Sequence, residues 1–174
     1  MPAQGEMTWF TKSDIETTIR RVEELRVSGI LSGEGSRSPF FQSVLIELLI
    51  CVNDLLQKAK ALGVRVTDKR FLPDIEGVND VTDLVNCCRN AACHISSGLK
   101  LFESNKFSFC MFFGYCPNAI VMNDVAIGCD FDDDAALLFG GYKLYLRRHL
   151  MAAHEAAKAV LLPLINDTTS EVAR

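Results

Sequence analysis

An arginine and a histidine near the middle of the chain have types and a spacing that could do chemistry. Arg89 is followed directly by Asn90, and His94 comes five positions after Arg89. A guanidinium is a permanently charged planar group that can hold phosphoryl oxygens. An imidazole titrates near neutral pH and can therefore transfer a proton to or from a reacting oxygen. Arg89 and His94 are thus candidate catalytic residues, with Asn90 in a supporting role.

The segment 80–97, which carries these residues, is predicted to form an amphipathic helix. Asp80 is a favourable N-cap, and Asp83 places negative charge in the first turn, where the helix dipole favours it. The apolar residues at helical spacing are Val81, Leu84, Val85, Cys88, Ala92 and Ile95. The polar side carries Asp83, Asn86, Asn90 and His94, with Arg89 and Cys93 at its margin. Asn86 lies in the same row as Asn90 and His94 and is a candidate binding residue.

Helix geometry separates the two candidate catalytic groups. Arg89 and His94 lie about 140° apart around the helix axis. One helix therefore cannot easily aim both side chains at one phosphate, unless the long arginine reaches around or a second subunit contributes. This shortfall favours a homodimer with a composite site. The alternative is that Arg89 forms an ion pair with Asp83 or Glu47, and that His94 makes a helix-end hydrogen bond.

The sequence Arg89-Asn90-Ala91-Ala92-Cys93-His94 resembles the R-x4-6-H motif of the HEPN superfamily. The stretches VTDLVNCCRNAACH and LIELLICVNDLLQKAK are similar to the two central helices of such domains, so the resemblance covers roughly residues 40–98. It implies a dimer in which two motifs face each other across a cleft. It also implies metal-independent RNA cleavage, in which the 2′-hydroxyl of the RNA attacks the adjacent phosphate. Other members of the superfamily are inactive or act as partners of nucleotidyltransferases.

Three further helices are predicted around this one. A capping box at Ser13–Glu16 starts a helix over 13–28, and a broad apolar stripe predicts a long helix over about 39–62. That stripe indicates a helix in the centre of the monomer, in contact with a second subunit, or both. The last helix is predicted at about 145–165. Short β-prone pieces separated by turn residues predict an antiparallel meander over 107–145.

These elements together predict a mainly α protein of one domain, residues 1–174. The expected architecture is an antiparallel helical bundle of HEPN type, with the small β-meander inserted before the last helix. The strands depart from the minimal all-helical core of that superfamily.

Composition narrows the function classes. A net charge of −4 argues against a broad cationic surface for nucleic acid, although it leaves room for a small cationic pocket. The N-terminus has no pattern of a secretory signal, and no run of 18 or more apolar residues occurs, so a cytoplasmic protein is expected. Seven cysteines without a C-x-x-C pair favour reduced thiols, and no paired Cys/His spacing predicts a metal or a cofactor.

Two charged clusters near the end of the chain are weaker candidates. Arg147 and Arg148 open the last helix, where they could border an RNA path or simply lie at the surface. The aspartates between 130 and 134 begin like an EF-hand loop. Ala135 replaces the required glycine and Gly141 the bidentate glutamate, so a solvated turn is expected.

The sequence thus favours a HEPN-type endoribonuclease that works without metal at a composite dimer site. Arg89 and His94 would be catalytic, Asn90 supporting, and Asn86, Arg147 and Arg148 would bind RNA. The resemblance suggests a toxin-like protein whose partner is an antitoxin or a nucleotidyltransferase. The first alternative is a non-catalytic HEPN module that binds a nucleotide or a protein. The second is an interaction protein whose long helix builds an oligomer.

Overall fold

The computed structural model describes residues 7–93, 101–102, 105–106, 110–122 and 125–166. The α-helices of this part are α1 (Trp9–Val27), α2 (Phe41–Ala61), α3 (Val81–Cys93) and α4 (Ala152–Asn166). A short 3-10 helix, Gly35–Arg37, precedes α2, and a π-helical segment, Leu146–Met151, runs into α4. The strands are β1 (Leu101–Phe102), β2 (Asn105–Lys106), β3 (Cys110–Phe113), β4 (Cys116–Met122), β5 (Val125–Cys129), β6 (Ala135–Phe139) and β7 (Tyr142–Tyr145).

Helix α1 begins about one turn before the predicted start. The hydroxyl of Thr8 accepts a hydrogen bond from the backbone N–H of Thr11 at 3.2 Å, so Thr8, rather than Ser13, is the N-cap. The predicted apolar stripe is confirmed, and its buried members are Ile15, Ile19, Val22 and Leu25. Capping chemistry at two nearby positions explains the error, because both threonine and serine can start a helix.

Helix α2 is the centre of the helical core. It packs against α1, α3 and α4, and it buries residues on most of its circumference. Those with no exposed surface at all are Leu48, Leu49, Val52, Leu55, Leu56 and Ala59. The prediction of a helix through the centre of the monomer is confirmed, whereas a second subunit on α2 stays a prediction.

The longer strands do not follow each other as a meander. In the three-stranded sheet, β3 pairs with β6 and β6 pairs with β7, all antiparallel. The hairpin β4–β5 is inserted between β3 and β6. Gly128 permits the close approach within this hairpin, because a Cβ there would lie 1.8 Å from the carbonyl oxygen of Cys116. The short strands β1 and β2 form a separate pair.

The predicted fold class is wrong. The described residues form a mixed α/β structure and not a mainly α bundle with a meander added to it. All five residues of β6 are buried, and Ala135, Leu137 and Phe139 belong to the same apolar core as the helices. Uninterrupted apolar character at 135–139 is the physical reason, since a strand buried on both faces must lie inside the core.

The last helical segment is confirmed in place, at 146–166 against the predicted 145–165, but its first turns are π-helical. Such segments are rare and often occur near functional sites. Across the described residues, every helix is too short or too polar to cross a membrane.

Candidate functional site

The start of α3 is fixed by an arginine that the sequence did not single out. Asp80 accepts a hydrogen bond from the backbone N–H of Asp83 at 3.0 Å, which confirms the predicted N-cap. Arg65 donates to both carboxylate oxygens of Asp80, at 2.7 and 2.8 Å, and to Asp83 at 2.6 Å. Burial alone would raise the pKa of Asp83, but hydrogen bonds from Arg65 and Asn79 lower it below its usual value. The orientation of α3 is thus set by a charged clamp at its N-terminus.

The apolar side of α3 packs into the protein, and the polar residues of the helix lie on its less buried side. Val81, Leu84, Val85 and Cys88 are buried as predicted, but Ala91 is buried where Ala92 was expected. This side packs against α2 and β7. The candidate residues Asn86, Arg89 and Asn90 are half-buried, and they share the described part of α3 with the exposed Cys93. His94, the second half of the motif, lies outside the described residues.

Arg89 and Asn90 are brought together by a direct hydrogen bond. The Nη1 atom of Arg89 donates to Oδ1 of Asn90 at 2.8 Å. The Nε–H group of Arg89 is buried and has no hydrogen-bond partner in the part of the chain that the structure describes. Within the same residues, Arg89 forms no ion pair with a carboxylate. Asn90 therefore orients the guanidinium without neutralising its charge.

The two ion pairs considered as alternatives for Arg89 are wrong. Asp83 is engaged by Arg65 at 2.6 Å. Glu47 is held by a two-point contact with Arg21, in which Nε and Nη2 donate at 2.6 and 3.0 Å. Both carboxylates thus have other arginines as partners, and Arg89 has no carboxylate partner in the part of the chain that the structure describes.

A buried donor without a partner is unfavourable. It costs about 1–3 kcal/mol relative to the same group in water or in a hydrogen bond. A phosphate oxygen at Nε of Arg89 would remove this cost and would meet a guanidinium already oriented by Asn90. The described part of the site thus has an oriented guanidinium with one unpaired donor, which is the feature that an anion would satisfy.

Two cysteines beside the motif, Cys87 and Cys88, are not activated thiols. Burial raises the pKa of Cys87 and raises that of the fully buried Cys88 further. A thiol whose pKa is raised stays protonated near neutral pH and is a poor nucleophile. The expectation of buried thiols thus holds for Cys88 and in part for Cys87, whereas Cys93 is exposed.

Arg147 and Arg148 lie against the acidic turn. Arg148 donates to Asp133 at 2.7 Å and to Asp134 at 3.1 Å, and its guanidinium carbon lies 3.7 Å from the centroid of the Phe131 ring. Arg147 donates to the backbone oxygen of Asp133 at 2.7 Å. Over the described residues, no hydrogen bond or ion pair joins these arginines to Arg89. A role for them in binding RNA stays a prediction.

The solvated-turn prediction is correct for part of the acidic turn only. Asp132 and Asp133 are exposed, but the side chain of Asp134 is fully buried. Its carboxylate accepts from the backbone N–H groups of Ala135 at 2.8 Å, Arg147 at 2.8 Å and Arg148 at 3.0 Å. Asp134 therefore caps the last helical segment from a distant position in the chain.

A further cluster of chemically capable side chains was missed by sequence reasoning. Glu23 of α1 lies beside His154 and Glu155 of α4, and each offers one ligand atom within 4.8 Å of the others. Glu155 also lines a pocket of about 490 Å³, together with Arg26, Arg147 and apolar side chains. No local spacing could have shown this cluster, because its members come from opposite ends of the chain.

Comparisons of the chain with protein-family models, with curated proteins and with solved structures find no match. The geometry of the described residues is what bears on function. It provides an oriented, half-buried arginine without a carboxylate partner on α3, and an arginine pair neutralised by aspartates at the start of the last helical segment.

Proposed function

We propose that this protein is a metal-independent endoribonuclease in which Arg89 and His94 act on one RNA phosphate. The observation that carries the proposal is the buried Nε–H of Arg89, which has no partner among the described residues. Such a donor matches the anionic oxygens of a phosphodiester. The sequence supplies the second group, because His94 follows on the same segment at the spacing of the R-x4-6-H motif.

The chemistry follows from the two side chains. The 2′-hydroxyl of RNA attacks the adjacent phosphorus, so that an O2′–P bond forms and the P–O5′ bond breaks. Negative charge develops on the phosphoryl oxygens, and the guanidinium of Arg89 stabilises it. His94 donates a proton to the leaving 5′-oxygen, with water taking the proton of the 2′-hydroxyl, or it accepts the 2′-hydroxyl proton, with water protonating the 5′-oxygen. The products carry a 2′,3′-cyclic phosphate and a 5′-hydroxyl.

Asn90 has a positioning role in this proposal. Its Oδ1 accepts from Nη1 of Arg89, which leaves Nε and Nη2 of the guanidinium for two phosphate oxygens. A dimer would bring the two groups of each motif together with those of its partner, which removes the difficulty of the wide angle between Arg89 and His94 on one helix.

A nucleotide-binding module is the second candidate. Anion binding needs only Arg89 and Asn90, whose contact is described, whereas cleavage also needs His94 in reach of the same phosphate. Binding without turnover would therefore use the same arginine and would not depend on the imidazole.

The test is RNA cleavage by the purified full chain in the presence of a chelator. We expect 2′,3′-cyclic phosphate ends. Replacing His94 by Ala should lower the rate by about 10²–10⁴-fold, because a proton-transfer group is lost. Replacing Arg89 by Ala should lower it by about 10²–10³-fold, because charge stabilisation is lost.

Arg20→Ala is the matched control, since Arg20 is an exposed arginine of α1. It should cleave like the wild type. If the wild type and His94→Ala give the same products at the same rate on a panel of RNAs, the ribonuclease proposal is wrong. Nucleotide binding that is lost in Arg89→Ala but kept in His94→Ala would then favour the binding module.

A further inference from the structure

Among the described residues, a buried histidine of α4 has no hydrogen-bond partner within 3.5 Å. His154 has no exposed surface, and neither Nδ1 nor Nε2 is within hydrogen-bond distance of a described donor or acceptor. Its nearest charged neighbour is Glu23, whose Oε1 lies 3.6 Å from Nε2. A buried imidazole left in this state needs an explanation.

The neighbours of His154 supply the rest of a ligand set. Carboxylate oxygens of Glu23 and Glu155 and a ring nitrogen of His154 all lie within 4.8 Å of one another. One imidazole and two carboxylates are a ligand set that divalent transition-metal ions accept. Glu23 is half-buried and Glu155 exposed, so the set opens from the core towards solvent.

We propose that Glu23, His154 and Glu155 bind a divalent transition-metal ion between α1 and α4. Of the three proposed ligands, Glu155 also lines the neighbouring pocket, together with Arg26 and Arg147.

Lys158 is the competitor of the metal. Its ammonium donates to Oε1 of Glu23 at 2.6 Å, which is the same oxygen that faces His154. Arg26 donates to the other oxygen, Oε2, at 2.9 Å. Hydrogen bonds from Lys158 and Arg26 lower the pKa of Glu23 to about 2. Metal binding thus requires the ammonium to move away, while Arg26 can keep Glu23 oriented.

The test uses Mn²⁺ and the full chain. Mn²⁺ prefers carboxylate and water ligands over thiolates, which matters because the chain holds free cysteines. Bound ion is counted by the loss of the free Mn²⁺ signal in electron paramagnetic resonance. We expect one ion per chain, and we expect Glu155→Gln to weaken binding by about ten- to a hundredfold. Glu16→Gln, an exposed carboxylate of α1 outside the cluster, is the matched control and should bind like the wild type.

Lys158→Met provides the opposite change. Removing one positive charge next to Glu23 should tighten Mn²⁺ binding by about tenfold. A variant that simply misfolds could not gain affinity, so the two substitutions together separate ligation from damage. The proposal is overturned if neither the wild type nor Lys158→Met binds Mn²⁺, if Glu155→Gln binds it as the wild type does, or if Lys158→Met binds it no better. It does not rest on RNA cleavage, which is assigned to Arg89 and His94 and measured with chelator present.

Discussion

Two regions of this protein present arginines beside a helix, and they differ in what surrounds the guanidinium. At the acidic turn, Arg148 contacts Asp133 and Asp134 and lies on the ring of Phe131. On α3, Arg89 has an amide oxygen of Asn90 as its partner and a buried Nε–H without one among the described residues. The first guanidinium is part of the fold, whereas the second is the one that we propose binds an anion.

The difference shows that residue type alone does not identify a binding arginine. Asp83 is paired with Arg65 and Glu47 with Arg21, and among the described residues no carboxylate forms an ion pair with Arg89. A binding arginine can therefore be recognised only when the carboxylate partners of the other arginines are known.

The largest expected effect is a loss of stability at the acidic turn, where Arg148 is part of the fold. Asp134→Asn replaces one acceptor oxygen of a buried carboxylate that contacts three backbone N–H groups and Arg148. We expect the free energy of unfolding to fall by about 3–5 kcal/mol, as for a broken buried ion pair. Urea denaturation measures it. Asp132→Asn is exposed and should change stability by no more than about 0.5 kcal/mol. Equal effects of the two substitutions would show that Asp134 does not hold the last helical segment.

The second prediction concerns the binding side. Inorganic phosphate should stabilise the wild type by about 1.4 kcal/mol when its concentration is ten times its Kd. Arg89→Met should lack this specific gain, because the methionine has no donor. Thermal unfolding with increasing phosphate measures it, and the general salting effect, which both proteins share, cancels in the difference. If the wild type and Arg89→Met showed the same dependence on phosphate, the anion would bind at a site other than Arg89.

Much of the fold could be predicted from local patterns. The apolar stripes of α1, α2 and α3 and the N-cap Asp80 follow from helical spacing and capping chemistry, and the structure agrees with them within about a turn. The strand order could not be predicted, because β3 pairs with β6 across an inserted hairpin. The position of β6 in the core could not be predicted either. Because of this position, the fold is mixed α/β and not mainly α.

In the candidate site too, local features could be predicted and long-range contacts could not. Arg89 and Asn90 could be identified from type and spacing. That Asp83 and Glu47 pair with Arg65 and Arg21 rather than with Arg89 could not be predicted, because these contacts join residues far apart in the sequence. Local sequence patterns likewise do not show the burial of Asp134 or the contact of Glu23 with His154, because both depend on tertiary packing.

The third and smallest effect is a pH dependence of the acidic-turn region. The buried His149 accepts from the N–H of Tyr145 through Nδ1, at 3.1 Å, and so donates through Nε2 to the carbonyl oxygen of Arg70, at 2.9 Å. Burial lowers the pKa of His149, although the Arg70 carbonyl and the charges of Asp134 and Asp68 oppose this. The unfolded chain, with an ordinary pKa of about 6.5, then binds a proton that the folded chain does not.

The contribution of His149 is therefore complete above about pH 6.5 and is lost as the pH falls through the folded-state pKa. We expect a loss of no more than about 1.4 kcal/mol per pH unit from this group. Urea denaturation at pH 7.5, 6.5 and 5.5 measures the dependence. His149→Gln should flatten it, and a dependence that is equally steep in this variant would assign it to other groups.

The most direct test of the contrast between the two arginines is RNA affinity at fixed salt, measured by fluorescence anisotropy. Wild type, Arg89→Met and Arg148→Met are compared below their unfolding temperatures with RNA containing a 2′-deoxy block against cleavage. We predict that Arg89→Met weakens binding by about tenfold or more, the equivalent of one charged hydrogen bond, while folded Arg148→Met binds like the wild type. Equal binding by Arg89→Met and the wild type, or a greater loss in Arg148→Met, would contradict the account.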